Sequence, residues 1–390
     1  MKYNFDEAID RRGTSSVKVD GVKNVWGRDD LMPMWVADMD FATPPFIIDA
    51  VRKRCEHPVL GYTEKPDSYY EAILNWVNPR YNMNAERKHI NFVPGIVAGL
   101  GMALNCFTSP GDKVMIMPPV YGPFAWLNRL NDRNLVECPL KLIDGVYHID
   151  VELFHKLRKG IRVLILCNPH NPGGVVWTHE ELEMIADICA DDNIIIFSDE
   201  IHADLTLPPH KHVPFATVND KARYHSITFM APSKTFNMPG VAASHTFIFN
   251  DMIREKFEKY LAANELNAGH VFVYPAVEAA YNEGSEWLEQ CLEYIQQNIE
   301  YVDRYMKTNM PKIKVMIPQA SFLLWLDCKE LGMEQAELAD FFADGAHLAL
   351  NDGTMFGEEG RGYMRMNIGC PRATVEQAMK QLKAAYDTRF

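Results

Sequence analysis

Paired cysteines are missing from this 390-residue chain, whose eight cysteines are scattered and form no Cys-x-x-Cys pair. They stand at positions 55, 106, 138, 167, 189, 291, 328 and 370. This spacing excludes the common structural zinc sites and the framework of a small disulfide-rich domain. We therefore expect reduced thiols, no bound metal and a cytoplasmic location.

The chain also has fewer basic than acidic residues: it contains 39 Lys and Arg and 52 Asp and Glu, which gives a net charge of −13. This balance argues against nucleic acid or an anionic membrane as the main partner. No apolar run approaches the roughly 20 residues that a membrane-spanning helix needs. Residues 1–7 contain no apolar signal core, and no repeat or low-complexity segment is present. We expect neither nucleic acid nor a membrane as partner.

The chain is long enough for two domains, because a single hydrophobic core usually stops growing at about 250–300 residues. Its hydrophobic content of 47% is ordinary for a globular protein. We place an N-terminal arm at 1–45, a large domain at 46–284 and a small domain at 285–390. The arm is expected to pack with the small domain.

Short apolar runs alternate with helical segments through the first part of the large domain. The predicted strands are 89–93, 113–117, 134–138, 163–167, 194–197, 225–230 and 241–249. Continuous apolar strands separated by helices indicate a mostly parallel sheet that is covered on both faces. We therefore predict a three-layer α/β fold, followed after Pro311 by a smaller α+β domain.

Two helix starts have identifiable capping signals. Asp67 is expected to cap a helix over 68–78. Thr178 and Glu181 form a capping-box pattern, which predicts the start of a helix over 179–191.

Several loops rich in polar residues and glycine each follow directly after a predicted strand. They are Pro94–Gly95, Pro119–Tyr121, Asn168–Gly174, Asp199–His202 and Ser233–Lys234. The carboxyl ends of parallel strands meet at one edge of a sheet, where the ligands of open α/β sheets bind. This shared position predicts one active site.

Two of these residues, Asp199 and Lys234, suggest the kind of site. A lysine amine can bond to the aldehyde of pyridoxal phosphate (PLP), and a carboxylate can face the ring nitrogen and keep it protonated. A ring held in this way accepts electrons from a substrate carbanion. A lone Lys or Asp is usually a solvated surface residue, so this interpretation depends on the rest of the chain.

Motifs in a recognisable order run along nearly the whole chain. They are Arg12–Thr14, Ser16–Lys18, Pro33–Phe41, Gly61–Thr63, Pro118–Tyr121, Cys167–Pro172, Ser198–His202 and Ser233–Asn237. Together they resemble the fold-type I PLP-dependent enzymes, the aspartate aminotransferase superfamily. Within it they resemble the MalY/PatB-type cystathionine β-lyases, or C–S lyases. The resemblance implies a PLP cofactor, an amino-acid substrate and a homodimer whose subunits share their active sites.

The resemblance also implies roles at the reacting end of the site. Lys234 would form the Schiff base with PLP and then move the proton of the substrate α-carbon. Asp199 would face the ring nitrogen. Asn171 would bond the ring hydroxyl oxygen and Tyr121 would stack on the ring, both close to the substrate. Arg365 would clamp the substrate carboxylate with its guanidinium fork.

At the phosphate end, the resemblance implies the backbone amides of Gly95, Ile96 and Val97, where a helix start favours an anion. Ser233 would add a hydroxyl, and Tyr62 would reach the phosphate from the neighbouring subunit. The plainer interpretations stay open: a helix start with nothing bound, a turn-capping serine and an ordinary turn tyrosine.

Some positions depart from the common aminotransferase pattern. His202 stands where many of these enzymes have a tyrosine; it could contact the cofactor, orient Asp199 or be a core histidine. Pro239–Ala242 lacks a frequent phosphate-binding arginine, and Ala231 replaces a frequent serine. The C–S lyase branch shares these departures. Asn351–Gly353, however, differs from that branch, where Pro-Gly is frequent, so the substrate preference stays open.

Our primary hypothesis is a PLP-dependent C–S β-lyase that cleaves L-cystathionine or a related cysteine S-conjugate to a thiol, pyruvate and ammonia. The alternative is an aminotransferase of class I or II, which begins with the same loss of the α-carbon proton. A further alternative is an additional regulatory role through binding of a transcription factor. The sequence identifies no surface for such a role.

Overall fold

The structure, a computed structural model, describes residues 2–390. Its strands are β1 (Met32–Pro33), β2 (Ile90–Val93), β3 (Lys113–Ile116), β4 (Asn134–Glu137), β5 (Lys141–Ile143), β6 (Val146–His148), β7 (Ile161–Cys167), β8 (Ile195–Asp199), β9 (Ser226–Met230), β10 (Ser244–Phe247), β11 (Lys314–Met316), β12 (Leu323–Asp327), β13 (Leu348–Ala349), β14 (Asn351–Asp352) and β15 (Tyr363–Asn367).

Helices connect and cover these strands. They are α1 (Val22–Trp26), α2 (Pro45–Cys55), α3 (Asp67–Tyr81), α4 (Ile96–Phe107), α5 (Pro123–Leu130), α6 (Val151–Leu157), α7 (His179–Asp191), α8 (Asp220–Tyr224), α9 (Pro232–Thr235), α10 (Asp251–Ala263), α11 (Val273–Glu283), α12 (Ser285–Asn309), α13 (Gln335–Asp340) and α14 (Arg372–Arg389). Across residues 2–390, none of them combines the length and the apolar character that crossing a membrane requires.

The central sheet has seven strands in the order β2-β10-β9-β8-β7-β3-β4. Every pairing from β9 through β4 is parallel, and only β10 runs antiparallel to its neighbours. The order reverses beside β3, because the chain moves outward to β4 and then returns through β7 toward β10. The carboxyl ends of β3, β7, β8 and β9 therefore meet at one edge, as a parallel sheet requires.

Both faces of this sheet are covered, which is why its strands are apolar without alternation. Phe197 of β8 packs with Leu100 of α4 and Phe257 of α10 on one face. On the other face, Leu164 of β7 packs with Leu182 of α7. All of these side chains are fully buried. The predicted α/β fold with a mostly parallel sheet is confirmed.

A second, antiparallel sheet has the order β11-β12-β15-β14 and carries long helices from the end of the chain. Asn298 of α12 donates from its side chain to the backbone oxygens of Ile368 and Cys370, which fixes this helix against the sheet. The arm reaches this part of the molecule through β1, which pairs with β13 in parallel, Met32 opposite Leu348. The exact division into domains stays a prediction.

Two local predictions have different outcomes. The capping box of Thr178 and Glu181 is confirmed at the start of α7. The prediction that Asp67 caps a helix is wrong, because α3 begins at Asp67 itself and its side chain caps nothing. The Asp67 carboxylate instead pairs with Arg87, which follows α3. The β5–β6 hairpin was not predicted, although Asp144 and Gly145 between its strands form the Asp-Gly pair that is typical of a two-residue hairpin turn.

Candidate active site

A cavity of about 330 Å³ lies at the carboxyl edge of the central sheet, next to the point where the strand order reverses. Nine of the residues predicted for the site line it: Gly95, Ile96, Val97, Tyr121, Asn171, Asp199, His202, Ser233 and Lys234. They come from loops after β2, β3, β7, β8 and β9. The topology therefore brings together residues that are far apart in the sequence.

Lys234 lies in the short helix α9, directly after β9, and its amine enters the cavity. The amine donates a hydrogen bond to the backbone oxygen of Ala37. Burial lowers the pKa of this amine to about 8; the Asp38 carboxylate opposes the shift and the Arg365 guanidinium adds to it. An amine with such a pKa exchanges protons readily near neutral pH, as a catalytic base must.

Asp199 ends β8 and is 4% exposed. One of its carboxylate oxygens accepts a hydrogen bond from the Ile201 backbone N–H at 3.1 Å. Within residues 2–390 the carboxylate forms no ion pair, and burial raises the pKa of Asp199 to about 7. A positively charged group in the cavity would reverse this shift by stabilising the carboxylate.

The first turn of α4 forms another wall of the cavity. Gly95 precedes this helix and has a φ of 147°, a backbone conformation that residues other than glycine rarely adopt. No side chain caps the helix start, so the N–H groups of Ile96 and Val97 remain available. The nearby Ser233 hydroxyl has no hydrogen-bond partner in the described part of the chain. These donors are suited to an anion such as a phosphate.

Tyr121 and Asn171 approach the cavity from neighbouring loops. Tyr121 follows β3, its ring contacts Phe124 edge-on at 5.8 Å, and burial raises the pKa of its hydroxyl. His170 holds the Tyr121 turn, since its Nε2 lies 2.8 Å from the backbone oxygen of Pro119. Asn171 is buried and its side-chain oxygen accepts a hydrogen bond from Arg365.

Arg365 lies on β15 and is 4% exposed. Its guanidinium donates to three neutral oxygens, namely Asn171 Oδ1 at 3.1 Å, Trp35 O at 3.0 Å and Asn351 Oδ1 at 2.7 Å. Its buried Nε has no hydrogen-bond partner, and none of the described carboxylates pairs with it. Burial lowers the pKa of Arg365 to about 10. A buried cation with only neutral partners can bind an incoming carboxylate.

The remaining predicted residues differ in placement. His202 is buried and lines the cavity, burial lowers its pKa to about 3, and it makes no hydrogen bond to Asp199 in the described structure. Its Nδ1 has no partner. Tyr62 does not line the cavity of its own chain; its side chain is fully exposed, at 113% of the reference area.

Sequence reasoning missed three contributors to the site. The Ala37 backbone oxygen accepts from Lys234, and Asn351 fixes Arg365. The Cys167 thiol lines the cavity. A backbone oxygen leaves no signature in the residue type, although the motif Pro33–Phe41 was singled out. For Asn351, the only signal was its unusual sequence context.

Comparisons with known proteins agree with this geometry. The model of the family described as aminotransferase class I and II matches residues 29–382. Cystathionine beta-lyase PatB of Bacillus subtilis is 41% identical over 98% of this chain and 99% of its own. The crystal structure of cystalysin from Treponema denticola, which contains pyridoxal 5′-phosphate, is 33% identical and covers 100% of both chains with a TM-score of 0.96. A PLP-bound C–S lyase from Staphylococcus hominis is 34% identical over 99% of this chain and 98% of its own, with a TM-score of 0.92.

Proposed function

The chain belongs to the aminotransferase class I and II family, and we propose that within this family it is a PLP-dependent carbon–sulfur β-lyase. Its substrate is L-cystathionine or a related cysteine S-conjugate, and its products are a thiol, pyruvate and ammonia. The full-length similarity to a cystathionine β-lyase is the observation that favours a lyase over an aminotransferase.

The residues around the cavity fit PLP by their chemistry. Lys234 supplies an amine for the aldehyde, and the buried, unpaired carboxylate of Asp199 suits the protonated ring nitrogen. The free N–H groups at the start of α4 and the unpartnered Ser233 hydroxyl suit the phosphate. Tyr121 would cover the ring and Asn171 would bond its hydroxyl oxygen.

Lys234 is the group that we propose moves the substrate proton. Its lowered pKa leaves a useful fraction of the amine unprotonated near neutral pH, so that it can accept the proton of the α-carbon. When bound, PLP supplies an electron sink for the pair left on that carbon, which allows the bond between the β-carbon and sulfur to break. The Ala37 backbone oxygen holds the lysine amine within the cavity.

Arg365 is proposed to orient the substrate through its carboxylate. The guanidinium is already fixed by Asn171, Asn351 and the Trp35 backbone oxygen, so that little side-chain entropy is lost when it binds. Its lack of an ionic partner leaves its charge available for a carboxylate, which a guanidinium fork can bind through two hydrogen bonds.

The decisive assay mixes the purified protein with PLP and L-cystathionine and measures pyruvate and free thiol. We expect both products in equal amounts. Lys234→Ala should abolish their formation, whereas Lys221→Ala should not, since that lysine is an exposed partner of Asp187 and Asp191.

An aminotransferase is the second candidate, because the family as a whole carries that description. In this case the protein would need a keto acid as amino acceptor and would convert the substrate to its own keto acid. Formation of that keto acid without pyruvate or thiol would overturn the lyase assignment.

We also propose a homodimer in which Tyr62 contributes to the partner's site. Tyr62 lies in an irregular segment between α2 and α3, where Val59 and Leu60 are also about 60% exposed, at 62% and 60%. Exposed apolar side chains in one segment are typical of an interface. The proposal is supported by the full exposure of Tyr62 and by its absence from the lining of its own chain's cavity.

Hybrid dimers test the shared site. Lys234→Ala and Tyr62→Ala variants, each weak alone, are unfolded together and refolded as a mixture. About a quarter of the wild-type activity should return, because half of the dimers are hybrids with one intact site. No recovery, with hybrid formation verified by native mass spectrometry, would contradict sharing.

A cytoplasmic location completes the proposal. All eight cysteines are free in the structure, and most are buried. Free thiols persist in a reducing compartment, which supports this location.

A further inference from the structure

The irregular segment Trp35–Phe41, here called the strap, connects the two sides of the cavity. Its backbone oxygens accept hydrogen bonds from Arg365 (Trp35 O, 3.0 Å), Asn367 (Val36 O, 2.6 Å, and Asp38 O, 2.7 Å), Lys234 (Ala37 O) and Asn237 (Met39 O, 2.9 Å, and Phe41 O, 2.7 Å). Arg365 and Asn367 belong to β15, whereas Lys234 and Asn237 follow β9. The position of the strap therefore sets the distance between the lysine and the arginine.

Two acidic residues of the strap pair with two basic residues of the arm, and we call these four the arm cluster: Arg11, Lys18, Asp38 and Asp40. Arg11 forms a fork with Asp38, at 2.6 and 3.1 Å, and also contacts Asp40 at 2.7 Å. Lys18 contacts Asp40 at 2.8 Å and the Asp38 backbone oxygen at 3.2 Å. Two residues of the arm thus bind the two acidic residues of the strap.

The arm cluster is more than a surface ion pair. Lys18 is fully buried, and the other three side chains are 16–22% exposed. Charges in such surroundings are retained only when they are paired, since each carries a desolvation cost of several kcal/mol. By contrast, the neighbouring pair of Arg12 and Asp10 is 80% and 61% exposed, so it contributes little.

We propose that Arg11 and Asp38 are positioning residues for the reaction: Arg11 anchors Asp38, and the anchored strap presents both the Ala37 carbonyl and the Asp38 charge to the Lys234 amine. This inference rests on the proposed role of Lys234 but not on the choice between lyase and aminotransferase. It assigns a positioning role to Arg11, a residue of the arm that does not line the cavity.

The charges around the Lys234 amine fix the direction of the expected effects. Three charged groups act on the pKa of the Lys234 amine: Asp38 of the strap and Asp199 of β8 raise it, and Arg365 of β15 lowers it. His202 lines the same cavity and is neutral, because burial lowers its pKa to about 3. Removal of the Asp38 charge should make protonation of the Lys234 nitrogen less favourable. Removal of Arg11 releases Asp38 from its anchor, so that the Asp38 charge acts less strongly on the amine. The effect should therefore have the same direction as removal of the Asp38 charge and be smaller.

The test is a pH titration of the visible absorbance of bound PLP, which reports the proton on the Lys234 nitrogen. Asp38→Asn should move the midpoint to lower pH by on the order of one unit, as expected for loss of one nearby opposite charge. Arg11→Gln should also move it to lower pH, by a smaller amount, because Asp38 loses its anchor. Arg12→Gln is the matched control and should leave it unchanged.

Shifts to lower pH in both Asp38→Asn and Arg11→Gln support the inference. A shift to higher pH in Arg11→Gln, as the loss of a positive charge alone would give, or an unchanged midpoint in Asp38→Asn, would overturn it and leave the arm cluster a purely structural feature. If Arg11→Gln does not fold, Arg11→Lys takes its place; it should keep the wild-type midpoint while Asp38→Asn does not. Transamination in the product assay would refute the lyase alone, since the titration does not depend on the products.

Discussion

The arm cluster and the cavity are adjacent, but their buried charges differ in whether they have an ionic partner. In the arm cluster every charge has an ionic partner, with Arg11 and Lys18 opposite Asp38 and Asp40. At the cavity, Asp199, which lines it, and Arg365, which bonds to the lining residue Asn171, are each 4% exposed, and neither has an ionic partner among the described residues. An unpaired buried charge costs free energy, so its presence indicates that a ligand supplies the missing charge. The comparison distinguishes paired buried charges, which stabilise the fold, from unpaired buried charges, which are available to bind a ligand.

The strongest test of this comparison is the removal of Asp199, whose buried carboxylate has no ionic partner. Asp199→Ala should lower kcat by at least about 100-fold, the loss typical of removing one preorganised electrostatic contact. Asp199→Glu keeps the charge and should retain more activity. Steady-state assays of pyruvate release measure both. Equal activity of the alanine variant and the wild type would exclude Asp199 from the site.

Replacing Asp199 by a neutral residue should also increase the stability of the protein without PLP. Because burial raises the pKa of Asp199 from 3.8 to about 7, its ionisation weakens the folded protein as the pH rises through this interval. Without PLP, Asp199→Asn should therefore be more stable than the wild type at pH 8, by up to roughly 4 kcal/mol. The gain should shrink as the pH falls toward 4. Urea unfolding at the two pH values measures it, and a loss of stability at pH 8 would contradict the account.

Arg365 should give the next largest effect, mainly on KM. Arg365→Gln is expected to raise KM roughly 10- to 150-fold, since hydrogen bonds to charged groups are worth about 1.5–3 kcal/mol. Arg133→Gln is a matched control: Arg133 is also buried and bonded to neutral oxygens, but it precedes β4 at the opposite edge of the sheet. Its loss should change stability and leave KM as it is. A KM unaffected by Arg365→Gln would remove the substrate carboxylate from this position.

Substitution of Lys18 tests the paired charges of the arm cluster, and it should have the smallest effect on catalysis. Lys18→Met removes one partner from a paired, buried cluster, and we expect it to cost about 3–5 kcal/mol of unfolding free energy. Its KM should stay within about threefold of the wild type, because Lys18 touches no group that binds the substrate. Urea unfolding and steady-state kinetics measure the two quantities. An increase in the free energy of unfolding would contradict this prediction, because it would show that burial of the Lys18 charge costs more than its ion pair contributes.

The fold was predictable from local patterns where one signal dominates. The continuous apolar runs gave β7, β8 and β9, and Thr178 with Glu181 gave the start of α7. The Asp67 prediction failed because Pro66 already occupies the position before the helix. The β5–β6 hairpin was not predicted because its strands have three residues each and no continuous apolar run, although the Asp144–Gly145 pair is a hairpin signal.

The nine residues that line the cavity were predictable as a set, since each follows a strand that ends at the same edge. Arg365, on β15 of the second sheet, and Tyr62 were predicted only from the resemblance. What the sequence could not reveal is the pairing between them. That Arg365 has neutral partners while Arg11 has acidic ones depends on contacts across the whole chain. Nor could residue types identify the Ala37 carbonyl as the partner of Lys234. Whether His202 contacts a ligand stays a prediction.

The central claim is that Lys234 is the residue that bonds to the cofactor opposite Asp199. Treating the PLP-saturated protein with borohydride makes such a bond permanent, and mass spectrometry of the digested protein then locates it. The account predicts a pyridoxyl group on the peptide containing Lys234, together with loss of activity. A group on any other lysine, or none at all, would contradict it.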